Sequence, residues 1–380
     1  MATNLRHGAG SLIVVGVAGT ELSGLERAWI KLLRPGGVIL FRRNIADSAQ
    51  TRALLHEVTV LGAPRALRCV DLEGGTVDRL RDALAASPAA QLVARASLQK
   101  AGIAHQHGAL IAKSVKAFGL NATLAPVLDL ALTDSAEVMG TRTTGSTAAE
   151  VVAYARPFLA GLASEGVAGC AKHFPGLGGG TKDSHFETPA IERGWRELWS
   201  EDVAPYRELS RELPMVMVSH AAFPLTASKH LPATASPFWV TKILRERIGY
   251  RGLIFSDDME MGGILKAMPI EEAAVAAIRA GMDTIEICHS PELILRAYEA
   301  LVAEAERSTA FRALLLARAR EAARKRTKII PEVAPKLLTA KQYEALRAKV
   351  NAFREKVLEL AGETAAVPAG SRLKPVAETA

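Results

Sequence analysis

Met215-Val216-Met217-Val218-Ser219-His220 and, one helix further on, Leu253-Ile254-Phe255-Ser256-Asp257-Asp258 share one plan: apolar residues without alternation, then polar side chains at the end. An unbroken apolar run of that length reads as a strand covered on both faces, which is the pattern of a parallel sheet wrapped by helices. The segment between the two fits a helix over 237–248. Ser236-Pro237 supplies a cap and a first-turn proline, and Gly249 supplies a stop.

The same plan recurs in both directions along the chain. Apolar runs at 12–17, 37–41, 66–71, 123–129, 168–173 and 284–288 join those at 215–220 and 253–257. Segments of helical periodicity near 22–33, 48–61, 90–117, 147–164, 194–210, 270–280 and 291–307 alternate with them. Thr147 and Glu150 form a capping-box pair, and Gly281 stands where the helix 270–280 should stop. Eight βα units predict an α/β fold, a closed (β/α)8 TIM-type barrel, which uses about 250 residues. We expect the catalytic barrel over 1–308, a short C-terminal helical extension over 309–366 and a flexible tail over 367–380.

Composition agrees with a large core: 49% of the 380 residues are apolar and 23% charged, which excludes a disordered or collagen-like chain. No apolar run approaches the roughly 18–20 residues that cross a bilayer, and the run at 12–18 lacks the flanks of a signal peptide. The expectation is a cytoplasmic protein without membrane insertion. Cys69, Cys170 and Cys288 cannot all pair and show no Cys-x-x-Cys spacing, so they read as buried apolar residues in a reducing compartment. The charge of +7 owes much to Arg312, Arg318, Arg320, Arg324, Lys325, Arg326 and Lys328. On a late helix such a run reads as a solvated face. No nucleic-acid motif accompanies it, and no nucleic-acid partner is expected.

In a barrel the chemistry sits where strands end. Here those ends carry Arg42-Arg43-Asn44, Asp71-Leu72-Glu73, Asp129, Lys172-His173, His220, Asp257-Asp258 and His289. Such a density of costly charge at one rim points to a site rather than to packing. Lys172 as a Schiff-base amine would need surroundings poor in carboxylates. The histidines lack zinc-binding spacings, so neither a metal nor any other cofactor is expected. Gly176-Leu177-Gly178-Gly179-Gly180 misses both nucleotide-loop patterns because Thr181 takes the last glycine's place. A carboxylate with a separate proton donor suits glycoside hydrolysis, whose transition state is a sugar cation. Asp257 and Asp258 supply carboxylates, and Asp183-Ser184-His185 supplies an acid. Residues two apart in extended chain share a side, so Asp183 can reach the His185 imidazole and raise its proton affinity.

These motifs resemble those of glycoside hydrolase family 3, and within it the bacterial β-N-acetylglucosaminidase branch. Lys172-His173-Phe174-Pro175-Gly176, then Asp183-Ser184-His185 and Thr188-Pro189, carry the likeness. Asp71-Leu72-Glu73-Gly74-Gly75 with Arg79, Ala125-Pro126-Val127-Leu128-Asp129, Gly140-Thr141-Arg142 and Phe255-Ser256-Asp257-Asp258-Met259 extend it in order. The resemblance implies retaining release of terminal β-linked N-acetylglucosamine. Asp257 would be the nucleophile, with Asp258 beside it in a structural role. His185 paired with Asp183 would be acid and then base. Asp71, Arg79, Arg142, Lys172 and His173 would bind the sugar's hydroxyls and acetamido group. The related β-glucosidases carry a large further domain that supplies a glutamic acid. Here a short helical tail follows the barrel, so the loop histidine is the implied donor.

The implied partner is a glycan or muropeptide, GlcNAc-1,6-anhydro-MurNAc in cell-wall recycling. Leu177 and Thr76 depart from the pattern, standing where His and Arg are usual, and bear on aglycone preference and turnover. Three alternatives stay open: a phosphorylase, a barrel that binds glycans without cleaving them, and a binder of acidic surfaces through the late basic helix.

Overall fold

The computed structural model describes residues 4–62, 65–180, 188–330 and 336–363. Eight parallel strands close into a barrel. They are β1 (Ile13–Val15), β2 (Gly37–Leu40), β3 (Leu67–Val70), β4 (Ala122–Thr123), β5 (Ala168–Phe174), β6 (Met215–Val218), β7 (Leu253–Asp258) and β8 (Thr284–Ile287). Each strand pairs with its sequence neighbours, and β1 closes the ring against β8, with Ile13 opposite Ile285. The apolar runs are buried, as unalternating runs must be in a barrel wall covered outside and filled inside. Cys69, Cys170 and Cys288 are buried and unpaired within this core.

Several local expectations hold with their chemistry. Thr147 and Glu150 form the capping box of the helix Ala148–Ser164. The Ser236 hydroxyl accepts from the Trp239 amide ahead of a π-type helix, Phe238–Arg247. Gly249 and Gly281 take positive φ where their helices end. Others are corrected. The expected helix 90–117 is two, Ala90–Gln99 and Ile103–Ala117, and that at 194–210 is also two, Trp195–Ser200 and Ala204–Glu208. The run 123–129 gives a strand of two residues. Pro126 lacks the amide that would continue the ladder, and pairing resumes only at an isolated bridge between Val127 and Lys172.

The late basic run also differs from its reading. Arg312, Arg320, Arg324 and Lys328 on the helix Thr309–Ile329 are exposed, whereas Lys325 and Arg326 are buried under the barrel. Lys325 Nζ lies 2.8 Å from Asp283 Oδ2, just before β8, and Arg326 donates to the Ser11 carbonyl at 3.0 Å, just before β1. Acceptors at the strand starts thus draw two cations of the run inward. The next helix, Ala340–Leu360, buries Leu346, Val350, Phe353 and Val357 and packs against Ala90–Gln99 and Ile103–Ala117. No helix among the described residues is long and apolar enough to cross a membrane.

Candidate active site

At the C-terminal ends of the strands, charge is organised as a chain of alternating sign. After β3 the backbone turns into a small antiparallel hairpin, Leu72–Gly74 with Val77–Asp78, which carries Glu73 back over the barrel. Gly74 makes that turn with φ of 93°, and a Cβ there would lie 2.1 Å from the Pro88 carbonyl oxygen. Lys172 on β5 sits between two carboxylates, its Nζ 2.7 Å from Asp71 Oδ1 and 2.7 Å from Glu73 Oε1. Arg142, on the short 3-10 turn Gly140–Arg142, completes the chain with a two-pronged bond to Glu73 at 2.9 and 2.8 Å.

Burial separates the members. The side chains of Glu73 and Lys172 are 3% and 4% exposed, those of Asp71 and Arg142 15% and 12%. The inner pair therefore supports and the outer pair faces the mouth. Burial alone would raise the Glu73 carboxyl, but Arg142 and Lys172 outweigh it and hold it well below the carboxylate range. Burial likewise opposes the Lys172 charge, and Asp71 and Glu73 outweigh it, so its proton is held more tightly than usual.

His173 is fixed from both sides. Its Nδ1 lies 2.6 Å from Asp129 Oδ2 and its Nε2 3.3 Å from an Arg142 nitrogen. A guanidinium only donates, so Nε2 accepts and Nδ1 carries the proton toward Asp129. Lys172 and His173 are consecutive, yet both face this network. Pairing with β6 shifts register between Ala171 and Phe174, which breaks the alternation of a regular strand. Asp129 also accepts from the Leu177 amide at 2.8 Å. It thereby ties β5 to the start of the glycine-rich loop. Leu177 itself is buried in the core cluster.

A second irregularity shapes β7. Against β8, Phe255 pairs with Thr284 but Asp258 with Glu286, so three steps on one strand face two on the other. Such a bulge re-aims side chains. Asp257 is half-buried there and its Oδ1 accepts from the Asp258 amide at 3.0 Å. Asp258 Oδ1 accepts from the Glu260 amide at 3.0 Å, and burial together with Glu260 pushes the Asp258 carboxyl up. Below them Glu286 is buried in the barrel. Its carboxyl is pushed far up by burial and then by the charges of Asp258, Asp71 and Asp257.

Because the fold disfavours the Asp258 carboxylate, wild-type stability should fall as pH rises from about 3.9, its unfolded value, through the raised one. Asp258→Asn removes that loss. The variant's urea midpoint should exceed wild type at pH 7 and approach it at pH 4; a gap independent of pH would refute the argument.

On the rim, Phe41 lies under Arg43 and Arg79, 4.6 and 5.7 Å from its ring centre, and 5.0 Å from the His289 ring. Burial, then Arg43 and Arg79, lowers His289 to about 4. Asp258, Glu260 and His289 offer ligand atoms within 4.8 Å of one another. Glu260 already accepts from the amides of Cys288, His289 and Ser290, and two arginines crowd His289. The set reads as a clamp on the loop after β8 and is a poor cation site.

Of the residues singled out in the sequence, Asp71, Arg142, Lys172 and His173 meet in one network, Arg79 lies on the rim, and Asp257 stands at the same mouth. Asp183 and His185 lie outside the described residues. The described chain on either side of them is anchored, at Leu177 to Asp129 and at Thr188, whose hydroxyl donates to the Gly263 carbonyl at 2.7 Å. Glu73 and Asp129 were visible as strand-end acids without a role. Glu286 was not singled out at all, although a carboxyl inside an apolar strand run is the signal that would have found it.

The model of the glycosyl hydrolase family 3 N-terminal domain matches residues 4–319. The chain belongs to this family. It is therefore a glycoside hydrolase. A β-hexosaminidase of Alkalilimnicola ehrlichii is 38% identical over 287 residues, covering 74% of this chain and 82% of that protein. One from Aromatoleum aromaticum is 39% identical over 292 residues, covering 74% and 80%. Among solved structures, a family 3 β-N-acetylglucosaminidase from Paenibacillus superposes with a TM-score of 0.81 at 30% identity, covering 93% of this chain and 69% of that one. NagZ from Neisseria gonorrhoeae, crystallised with zinc, gives 0.75 at 29%, covering 91% and 98%. The family 3 glycosidase thus has the barrel that its unalternating runs predict.

Proposed function

We propose that this glycosidase releases terminal β-linked N-acetylglucosamine with retention, through a covalent sugar ester on Asp257. One observation carries the reading most: Asp257 rises from the bulged end of β7, half-buried, at the mouth that Asp71 and Arg142 also face. In the first step the Asp257 carboxylate bonds to the anomeric carbon as the glycosidic bond breaks. The His185 imidazolium, oriented by Asp183, gives its proton to the departing oxygen. In the second step the neutral imidazole takes a proton from water. The water oxygen bonds to the same carbon, and the ester bond returns its electrons to Asp257. Two inversions give net retention.

Asp71, Arg79, Arg142, Lys172 and His173 hold the hydroxyls and the acetamido group. Arg142 and Lys172 are already fixed by Glu73, so their orientation needs no rearrangement when the sugar arrives. The natural substrate is a muropeptide fragment, GlcNAc-1,6-anhydro-MurNAc, met in the cytoplasm during cell-wall recycling.

4-Nitrophenyl N-acetyl-β-glucosaminide should be hydrolysed, with the β anomer appearing first by proton NMR. The anhydro-muropeptide should show a higher kcat/KM than chitobiose. First appearance of the α anomer would eliminate the ester mechanism. Sugar 1-phosphate formed in phosphate buffer would make the enzyme a phosphorylase.

A further inference from the structure

The floor of the barrel, opposite the catalytic mouth, holds a cavity of about 710 Å³. It lies between the start of β3, the end of the helix Ile103–Ala117 and the helix Ala340–Leu360. Ligand cavities of small organic molecules fall in this size range, about 300–1,000 Å³. Ala117, Leu120, Leu338 and Leu346 give it an apolar wall. Arg68, Lys113, Lys116, Lys336 and Lys349 line it with positive charge, against one carboxylate, Glu165, among the described residues. That carboxylate is already engaged by Lys113 at 3.3 Å and Lys116 at 2.9 Å.

Arg68 distinguishes the cavity from an ordinary basic surface. It sits on β3 with its guanidinium largely withdrawn from water, and its buried Nε has no hydrogen-bond partner among the described residues. Burial and then the neighbouring Arg52 both disfavour its charge. A desolvated cation with no counter-charge is costly, and a bound anion offsets that cost. Nothing in the catalytic chemistry uses this end of the barrel, which in this fold ordinarily serves stability.

We propose that this cavity binds a small soluble amphiphilic anion. Its phosphate or carboxylate head pairs with Arg68, with Lys336 and Lys349 at the rim, and its apolar body lies along Leu120, Leu338 and Leu346. The charge excess selects an anion and the leucines select a hydrocarbon portion, so neither inorganic phosphate nor a neutral detergent satisfies both.

Calorimetric titration of the full chain with octyl phosphate, octanoate, inorganic phosphate and octyl glucoside tests this. The two octyl anions should bind at least about tenfold more tightly than inorganic phosphate, which lacks the chain to bury, and than the glucoside, which lacks the charge to pair with Arg68. Arg68→Met should weaken octyl phosphate about tenfold by removing the charge-assisted contact. Ala345→Trp, at the exposed rim, should fill the cavity and remove saturable binding. Hydrolysis of the chromogenic glycoside should stay within about twofold of wild type in both variants, reporting an intact barrel. The proposal is overturned if octyl phosphate binds no more tightly than inorganic phosphate, or if both variants titrate like wild type. Concentration-dependent self-association that Ala345→Trp abolishes would assign the cavity to a second copy of the chain and overturn it equally.

Discussion

Asp257→Ala is expected to lower kcat on 4-nitrophenyl N-acetyl-β-glucosaminide by at least about 10⁴-fold while leaving the unfolding free energy from urea titration within about 1 kcal/mol of wild type. The two halves of this expectation have separate grounds. Asp257 is half-buried at the mouth and outside the packed apolar core, so its truncation removes no core packing. A positively charged anomeric centre in the transition state, by contrast, has its charge compensated at bonding distance by that carboxylate. Azide supplies the sharper readout. A small anion can enter the space the carboxylate leaves, and a single displacement then gives the α-glycosyl azide, the inverted product. Rate recovery with that product is expected. Recovery with the β azide, or activity near wild type in the variant, would move the nucleophile elsewhere. Asp258→Asn, whose carboxyl the fold already disfavours, should lose far less, within about tenfold.

What the sequence makes legible here is the part set by covalent order. Strands announce themselves through unalternating runs such as 215–220 and 253–257. Strand ends announce themselves by where charge begins, which is how Asp71, Lys172, His173 and Asp257 were found. The hidden part depends on departures from regular geometry. Strict alternation would set Asp257 and Asp258 on opposite sides, and would separate Lys172 from His173. The register shifts in β7 and β5 instead bring each pair to one mouth. No spacing rule anticipates these bulges. Glu73 illustrates a different loss. The sequence shows a carboxylate two residues past Asp71, but only the hairpin reveals that it faces Lys172 and Arg142 together. The same holds for Lys325 and Arg326, whose burial depends on Asp283 and Ser11, distant in sequence but next to them in space.

The floor and the mouth therefore use charge in opposite ways. At the mouth the cations are matched: Asp71, Lys172, Glu73 and Arg142 alternate and sum to zero. Removing one member exposes how much the rest depend on it. Glu73→Gln keeps the shape but leaves Arg142 without its two-pronged partner and Lys172 with one carboxylate instead of two. Breaking a buried pair by deleting one side costs about 3–5 kcal/mol, and the softer amide replacement should fall near the lower figure.

The pH dependence identifies the cause. Glu73 is depressed in the folded protein, so its stabilisation is present above the unfolded value of about 4.3 and is lost as pH falls toward the folded one. The stability gap between wild type and Glu73→Gln should therefore be largest near pH 7 and narrow steadily below pH 4, where wild type itself gives up the charge. A gap that stays constant across this range would mean that packing, not the carboxylate, holds Arg142. Activity should respond separately. At temperatures where the variant stays folded, a freed Arg142 and Lys172 misplace the groups around the sugar, and kcat/KM should fall about 10²-fold. Lys172 has the opposite sign: its stabilisation is full below the unfolded value of about 10.4 and disappears only as pH rises through a folded value higher still. Between those two limits the chain of four charges is fully formed, and there the arginine and lysine stand already aimed at the mouth before any sugar enters.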